Sequence, residues 1–200
     1  MNTAFEQRLQ EKFGTIGGSI FFFLLEMLQI VLISGAIIIP VRYFLIQPFY
    51  VKGASMEPNF YDHEYLIIDE LSYRFHQAQR GEIVVFRYPR DPSQFFIKRV
   101  IGLPGETVEV TNNHVIIYNT EHPNGIILQE PYIGDRPTNG KERTTLGAQE
   151  YYVMGDNRNE SMDSRSFGPV SRSGIIGRVW VRGLPLSRIG TFEIPDYRDL

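Results

Sequence analysis

Hydrophobic and polar positions divide the chain into one long apolar run followed by a body of short strand-like segments. The run is Ile20–Ile39, IFFFLLEMLQIVLISGAIII, with Glu26 and Gln29 as its strongly polar interruptions. Twenty residues at 1.5 Å rise span about 30 Å, the thickness of a bilayer core. A carboxylate at the bilayer centre costs roughly 2.5–3.5 kcal/mol, less near an end. Glu26 stands six residues into the run, so its cost falls short of that. The pattern predicts a tail over 1–18, a transmembrane anchor over 19–42 ending near Pro40–Arg42, and a body over 43–200. A cleaved signal peptide and a buried soluble helix are the competing readings. The 19-residue lead before Ile20 is long for a signal peptide.

Beyond residue 60 no 3.6-residue period is sustained, and the chain reads as strands and turns. Tyr65–Asp69, Glu82–Phe86, Phe95–Leu103, Glu150–Met154 and Ile175–Val181 are apolar runs bounded by turn residues. Thr107–Tyr118 alternates about Asn112-Asn113 and predicts a hairpin. Gln129–Ala148 reads as a polar loop or flap, and with the hairpin makes an extension over about 106–149.

Composition narrows the chemistry. The chain has 200 residues, a net charge of −3 and no cysteine. Thiol nucleophiles, disulfides, thiolate zinc sites and iron–sulfur clusters are excluded. The charge is nearly balanced and no block of like charge is present, which disfavours a phosphate-neutralising nucleic-acid face. Residues 1–52 carry a balance of +1, and the acidic excess lies in the body.

Three segments hold candidate chemistry. Val51–Pro58, VKGASMEP, places Ser55 in a turn of small residues where backbone N–H groups can approach a substrate. Phe95–Glu106, FFIKRVIGLPGE, sets Lys98 and Arg99 inside an apolar strand. Because alternate strand residues face opposite sides, one of the two must point toward the core or a cleft. A lysine in apolar surroundings loses part of its preference for the charged form and becomes usable as a general base. Gly155–Val170, GDNRNESMDSRSFGPV, is dense in hydrogen-bonding groups. It is not an EF-hand, because Arg158 stands where an oxygen ligand is required.

Taken together, in this order, the segments resemble those of bacterial type I signal peptidases. The nucleophile box of that family is similar to Ser55-Met56-Glu57-Pro58. A strand similar to G-D-I-V-V-F follows at Gly81–Phe86, with Glu82 in place of Asp. The lysine box matches Lys98-Arg99 through Gly105. The last box matches Gly155-Asp156-Asn157, Ser161, Asp163, Ser164 and Arg165. The resemblance covers roughly residues 20–183.

The resemblance implies a mainly β fold: an N-terminal transmembrane helix followed by an antiparallel, partly coiled β catalytic domain. It implies a Ser–Lys dyad, with Ser55 as nucleophile and neutral Lys98 as general base. Ser161 would orient the lysine amine, Asp163 and Arg165 would form a supporting ion pair, and Asp156 and Asn157 would shape the loop. The backbone N–H of Ser55 would serve the oxyanion hole. Gly53 stands where some relatives carry a second, hydroxyl donor. Val51, Met56, Phe60, Phe96 and Ile97 would line shallow pockets for small residues at −1 and −3 of a preprotein, the A-x-A pattern. His63, His76, His114 and His122 lie outside every box. No metal and no cofactor is implied.

The partners implied are preprotein signal peptides, the lipid bilayer and, indirectly, the export machinery, with no nucleic acid. The location implied is single-pass in the plasma (inner) membrane, or a thylakoid membrane, with the body on the trans side. Phe44, Leu45, Ile46, Phe49 and Tyr50 would hold the site at the bilayer surface. Alternatives are a specialised S26-type processing peptidase for one secretion or conjugation substrate, a soluble self-cleaving Ser–Lys protease, and a non-catalytic tethered binding protein. The apolar span argues against the second. Retention of both Ser55 and Lys98 argues against the third.

Overall fold

The computed structural model describes residues 3–44, 47–111 and 113–197. Leu45, Ile46 and Asn112 lie outside them. Two compact units divide between Leu45 and Ile46. The first is a single helix, α1 (Thr3–Phe44), of 42 residues, about 63 Å at the α-helical rise. Its apolar window runs Ile16–Ile39, with Ile30, Val31 and Leu32 all exposed. A helix apolar on every side and uncovered by protein suits lipid.

Among the described residues the second unit holds twelve strands: β1 (Gln47–Tyr50), β2 (Tyr65–Asp69), β3 (Ile83–Tyr88), β4 (Asp91–Gly102), β5 (Thr107–Thr111), β6 (His114–Tyr118), β7 (Ile126–Ile127), β8 (Glu142–Thr145), β9 (Glu150–Met154), β10 (Val170–Ser171), β11 (Ile175–Leu184) and β12 (Gly190–Thr191). One short helix, α2 (Ser164–Phe167), interrupts them. All pairings are antiparallel among the described residues. The larger sheet runs β1-β2-β11-β3-β4-β9-β10, with β12 added on β11. Register shifts in β11 and at both ends of β4 bend this sheet. It curls far enough that Phe49 of β1 meets Phe95 of β4 edge to face, ring centroids 5.5 Å apart. The barrel does not close between them. β1, on the side away from β2, and the Asp91–Lys98 stretch of β4, on the side away from β3, have no strand partner among the described residues.

The smaller sheet, β7-β6-β5-β8, differs from the flap expected over Gln129–Ala148. Glu142–Thr145 pairs with β5, Thr107 opposite Thr145 and Val110 opposite Glu142. As an edge strand it buries little, so ERTT needs no apolar alternation and gives no strand signal in the sequence. Val108, Val110, Val115 and Ile117 face inward from β5 and β6 onto Ile101, Tyr152 and Met154 of the larger sheet. Gly102 permits this approach: a Cβ there would stand 2.3 Å from Val108 Cγ2. The hairpin turn at Asn113 has φ 69°. Gln47–Tyr50, read from the sequence only as part of the apolar link to the span, is strand β1.

Candidate active site

Ser55 sits on a tight turn after β1. Met56 O accepts from Asn59 N–H (3.1 Å) and Phe60 N–H (2.9 Å), and Ala54 O accepts from Glu57 N–H (3.1 Å). Met56 and Phe60, 1% and 0% exposed, pin the turn to a core of Val51, Leu66, Ile83 and Val85. Gly53 enters the turn at φ +90°, a conformation costly to any residue with a Cβ, and its N–H donates to Asp62 Oδ1 (2.9 Å). The Ser55 N–H makes no hydrogen bond among the described residues.

Lys98 lies on β4, paired with Val84 of β3. Its Nζ donates to Ser55 Oγ at 2.8 Å and to Ile97 O at 2.8 Å. The side chain is 4% exposed, with Nζ 5.4 Å from the centroid of the Phe96 ring. Burial pulls its pKa from the usual 10.5 down to about 8, against the opposing pull of the Asp163 and Asp156 charges. An amine with that pKa is partly neutral near pH 7 and can take a hydroxyl proton.

Arg99 faces the other side of β4 and is buried as well. Its Nε and Nη2 donate to Asp156 Oδ1 (2.8 Å) and Oδ2 (2.6 Å), and Nη1 donates to Gly81 O (2.8 Å). Asp156 begins the polar loop after β9, and the next residue closes that loop over the turn. Asn157 N–H donates to Ser55 O (3.0 Å), and its Nδ2 donates to Ala54 O (3.1 Å). Asp163 caps α2 and holds Arg165 through two contacts of 2.8 Å. It also accepts Gly155 N–H (3.0 Å), and the Arg165 charge helps hold its carboxyl below the usual carboxylate range against the effect of burial. Arg165 Nη2 reaches Arg158 O (2.7 Å), so the loop is tied to itself as well as to the turn.

A cleft of about 320 Å³ opens over Ser55 and Lys98. Phe49–Lys52 form one wall and Gln94–Ile97 the other, with Leu66, Val85 and Met162 completing it. The walls are the two unpaired strand edges of the curled sheet.

The sequence pattern of the family described as signal peptidase, peptidase S26, matches residues 24–183. The chain belongs to that family. Among its relatives, signal peptidase I of Leptolyngbya laminosa is 38% identical, over 86% of this chain and 85% of the relative. Probable signal peptidase I-1 of Synechocystis sp. is 37% identical, over 84% and 86%. A solved signal peptidase I from Enterococcus faecalis V583 is 32% identical, covering 52% of this chain and 97% of that one, with a TM-score of 0.45.

Set against the family boxes, this S26 peptidase brings Ser55, Lys98, Asp156, Asn157, Asp163 and Arg165 into one connected constellation. Val51, Phe96 and Ile97 line the cleft; Met56 and Phe60 do not. Those two are buried beneath the turn, because a turn so tight needs apolar anchors on its inner side. Ser161 also departs from the expectation. Its Oγ is buried beside the Asp163 carboxylate and against Gly155, where a Cβ would stand 2.2 Å away. It makes no hydrogen bond with Lys98 Nζ, whose acceptors are Ser55 Oγ and Ile97 O.

Two groups that support the turn carry no recognisable signal in the sequence. Arg136 Nη1 donates to Glu57 O (2.6 Å), reaching in from the loop before β8. Arg158, 2% exposed, pairs with Glu130, bonds Thr138 Oγ1 (2.6 Å) and donates from Nε to Gly155 O (3.0 Å). A lone arginine amid polar residues reads as solvated; only the fold brings Glu130 to it.

Proposed function

We propose that this peptidase removes N-terminal signal peptides from exported preproteins by a Ser55–Lys98 dyad. The observation that carries the reading is the 2.8 Å contact between Lys98 Nζ and Ser55 Oγ in a buried setting that lowers the lysine pKa to about 8. In the neutral form of Lys98 the Ser55 O–H donates to the amine lone pair. Ser55 Oγ attacks the scissile carbonyl as its proton passes to Nζ. The oxyanion gathers at the free Ser55 N–H. Lys98 then gives its proton to the departing amine as the C–N bond breaks. Water, deprotonated by the same amine, attacks the ester and releases the carboxylate of the signal peptide. Asp163 and Arg165 hold the loop that covers the turn, and Asp156 and Asn157 link it to both reacting residues.

Substrate binding follows from the cleft walls. An extended peptide entering between β1 and the first half of β4 meets unpaired backbone groups on both sides and binds as an added strand. Alternate side chains of such a strand point to one face, so the residues at −1 and −3 enter the cleft together. Val51, Phe96, Ile97 and Leu66 make its floor apolar and shallow, which favours Ala and excludes large side chains. The apolar helix α1 anchors the protein in a bilayer as a single span, with the β body on the trans side where exported segments emerge. The names of the relatives from Leptolyngbya laminosa, Synechocystis sp. and Bacillus subtilis, each a signal peptidase, support the removal of signal peptides as the activity.

The test is cleavage of a preprotein bearing an A-x-A site by the full chain in detergent. Ser55→Ala and Lys98→Met are expected to fall to background. Wild-type cleavage by either variant would remove the dyad.

A further inference from the structure

Arg99, on the face of β4 opposite Lys98, is enclosed by groups from several separate parts of the chain. Besides Asp156 and Gly81, the ring of Tyr132 lies over its guanidinium, Cζ 3.9 Å from the centroid. Tyr132 belongs to the single helical turn Pro131–Ile133, in the loop before β8. Its carbonyl accepts from Asn59 Nδ2 (2.9 Å), and the same amide donates to Asp156 Oδ2 (2.8 Å). Asn59 is part of the turn that presents Ser55. Tyr132 therefore touches the strand that carries Lys98 and the turn that carries Ser55, yet takes no part in lining the cleft.

Tyr197 backs this contact. Its hydroxyl donates to Gln129 O (2.8 Å) and lies beside that of Tyr132. Its ring packs on Gly81, where a Cβ would come within 2.9 Å of Cε2. Gly81 in turn gives its carbonyl to Arg99. The segment bearing Tyr197 lies beyond residue 183, where the family match ends.

We propose that Tyr132 and Tyr197 are positioning residues that fix the spacing of Ser55 and Lys98 by holding Arg99 against Asp156 and Gly81. A delocalised guanidinium keeps one orientation when an aromatic face covers it and its in-plane donors are filled. With that orientation set, β4 cannot rotate or slide relative to the turn, and the Nζ–Oγ contact is held. Reaction rates fall steeply with small errors in such a distance. The inference rests on the dyad reading given above.

The experiment measures kcat and KM separately for preprotein cleavage by the full chain in detergent. Tyr132→Leu is expected to lower kcat about tenfold with KM within about twofold, because the cleft is untouched. Tyr132→Phe keeps the ring over Arg99 and is expected to recover most of that loss. A folded Tyr132→Leu with wild-type kcat, or Leu and Phe variants that behave alike, would overturn the proposal. If Tyr132→Leu does not fold, Tyr197→Leu decides: a lowered kcat at constant KM supports the proposal, and wild-type kcat overturns it. Ser55→Ala runs alongside. Wild-type cleavage by that variant would sink the dyad itself, whereas failure of the positioning proposal leaves Ser55→Ala inactive.

Discussion

Asn157 holds the Ser55 turn from above: its backbone N–H donates to Ser55 O and its side-chain amide to Ala54 O. The residue is therefore a clamp on the peptide units flanking Ser55, as well as a member of a shaped loop. Asn157→Asp removes the side-chain donor and sets a carboxylate against Ala54 O. It is expected to lower kcat by roughly tenfold to a hundredfold through the displaced Ser55 hydroxyl. Single-turnover cleavage by the folded variant checks this; an unchanged rate would show that the turn holds itself.

The pH dependence follows from Lys98. Its pKa near 8 sets the fraction of neutral base. Below that value kcat/KM is expected to fall about tenfold per pH unit, and above it to level off. An initial-rate profile from pH 6 to 10 measures the midpoint. A plateau reaching down to pH 6 would mean that another group takes the proton.

Lys98 also has a cost for folding. Its pKa in the folded chain, about 8, lies below the ordinary 10.5 of an exposed lysine. Below pH 8 both folded and unfolded chains hold the proton, and the folded chain carries a buried ammonium. Between 8 and 10.5 the unfolded chain binds more protons, so stability rises with pH, and above 10.5 the cost is gone. The gap corresponds to an upper figure of about 3 kcal/mol at neutral pH. Lys98→Met is therefore expected to raise Tm at pH 7 while abolishing cleavage, with the gain shrinking above pH 9. Thermal denaturation at the two pH values separates this from a simple packing change.

Gly53 stands where the family resemblance implies a second, hydroxyl donor in some members. At φ +90° a side chain meets open space but a strained backbone. Gly53→Ser is expected to lose about 1 kcal/mol of stability and gain no rate, because the N–H remains tied to Asp62. A rise in kcat would show that the turn can relax to present the new hydroxyl to the oxyanion.

What the sequence reveals here depends on whether a feature is local. The β2, β3, β4, β9 and β11 runs are legible because each buries an apolar face and ends at turn residues. Lys98 in an apolar strand stands out in the sequence, but by itself it reads equally as a side chain that snorkels out to solvent. Alternation says only that one of Lys98 and Arg99 turns inward. In the folded chain both are buried, because β4 is covered on each face, by the cleft residues on one side and by Asp156 and Tyr132 on the other. Strands β1 and β8 escape notice because edge strands need no apolar pattern. Glu130, Arg136 and Tyr132 escape because their partners are distant in sequence and each is an ordinary loop residue by itself. Met56 and Phe60 mislead in the opposite way: the family resemblance implies a pocket role for them, whereas the tight turn sends them beneath it.

The open seam between β1 and β4 has a consequence for what can be cut. Its walls offer backbone groups spaced for a pleated partner, and a helix, whose own N–H and C=O groups are already paired, has nothing to give them. The apolar stretch of a preprotein is helical while it crosses a bilayer. Cleavage by this chain therefore demands that the polypeptide unwind between that stretch and the scissile bond. On the strand-addition reading proposed above, helix-breaking residues just ahead of the cut site are expected to raise the rate.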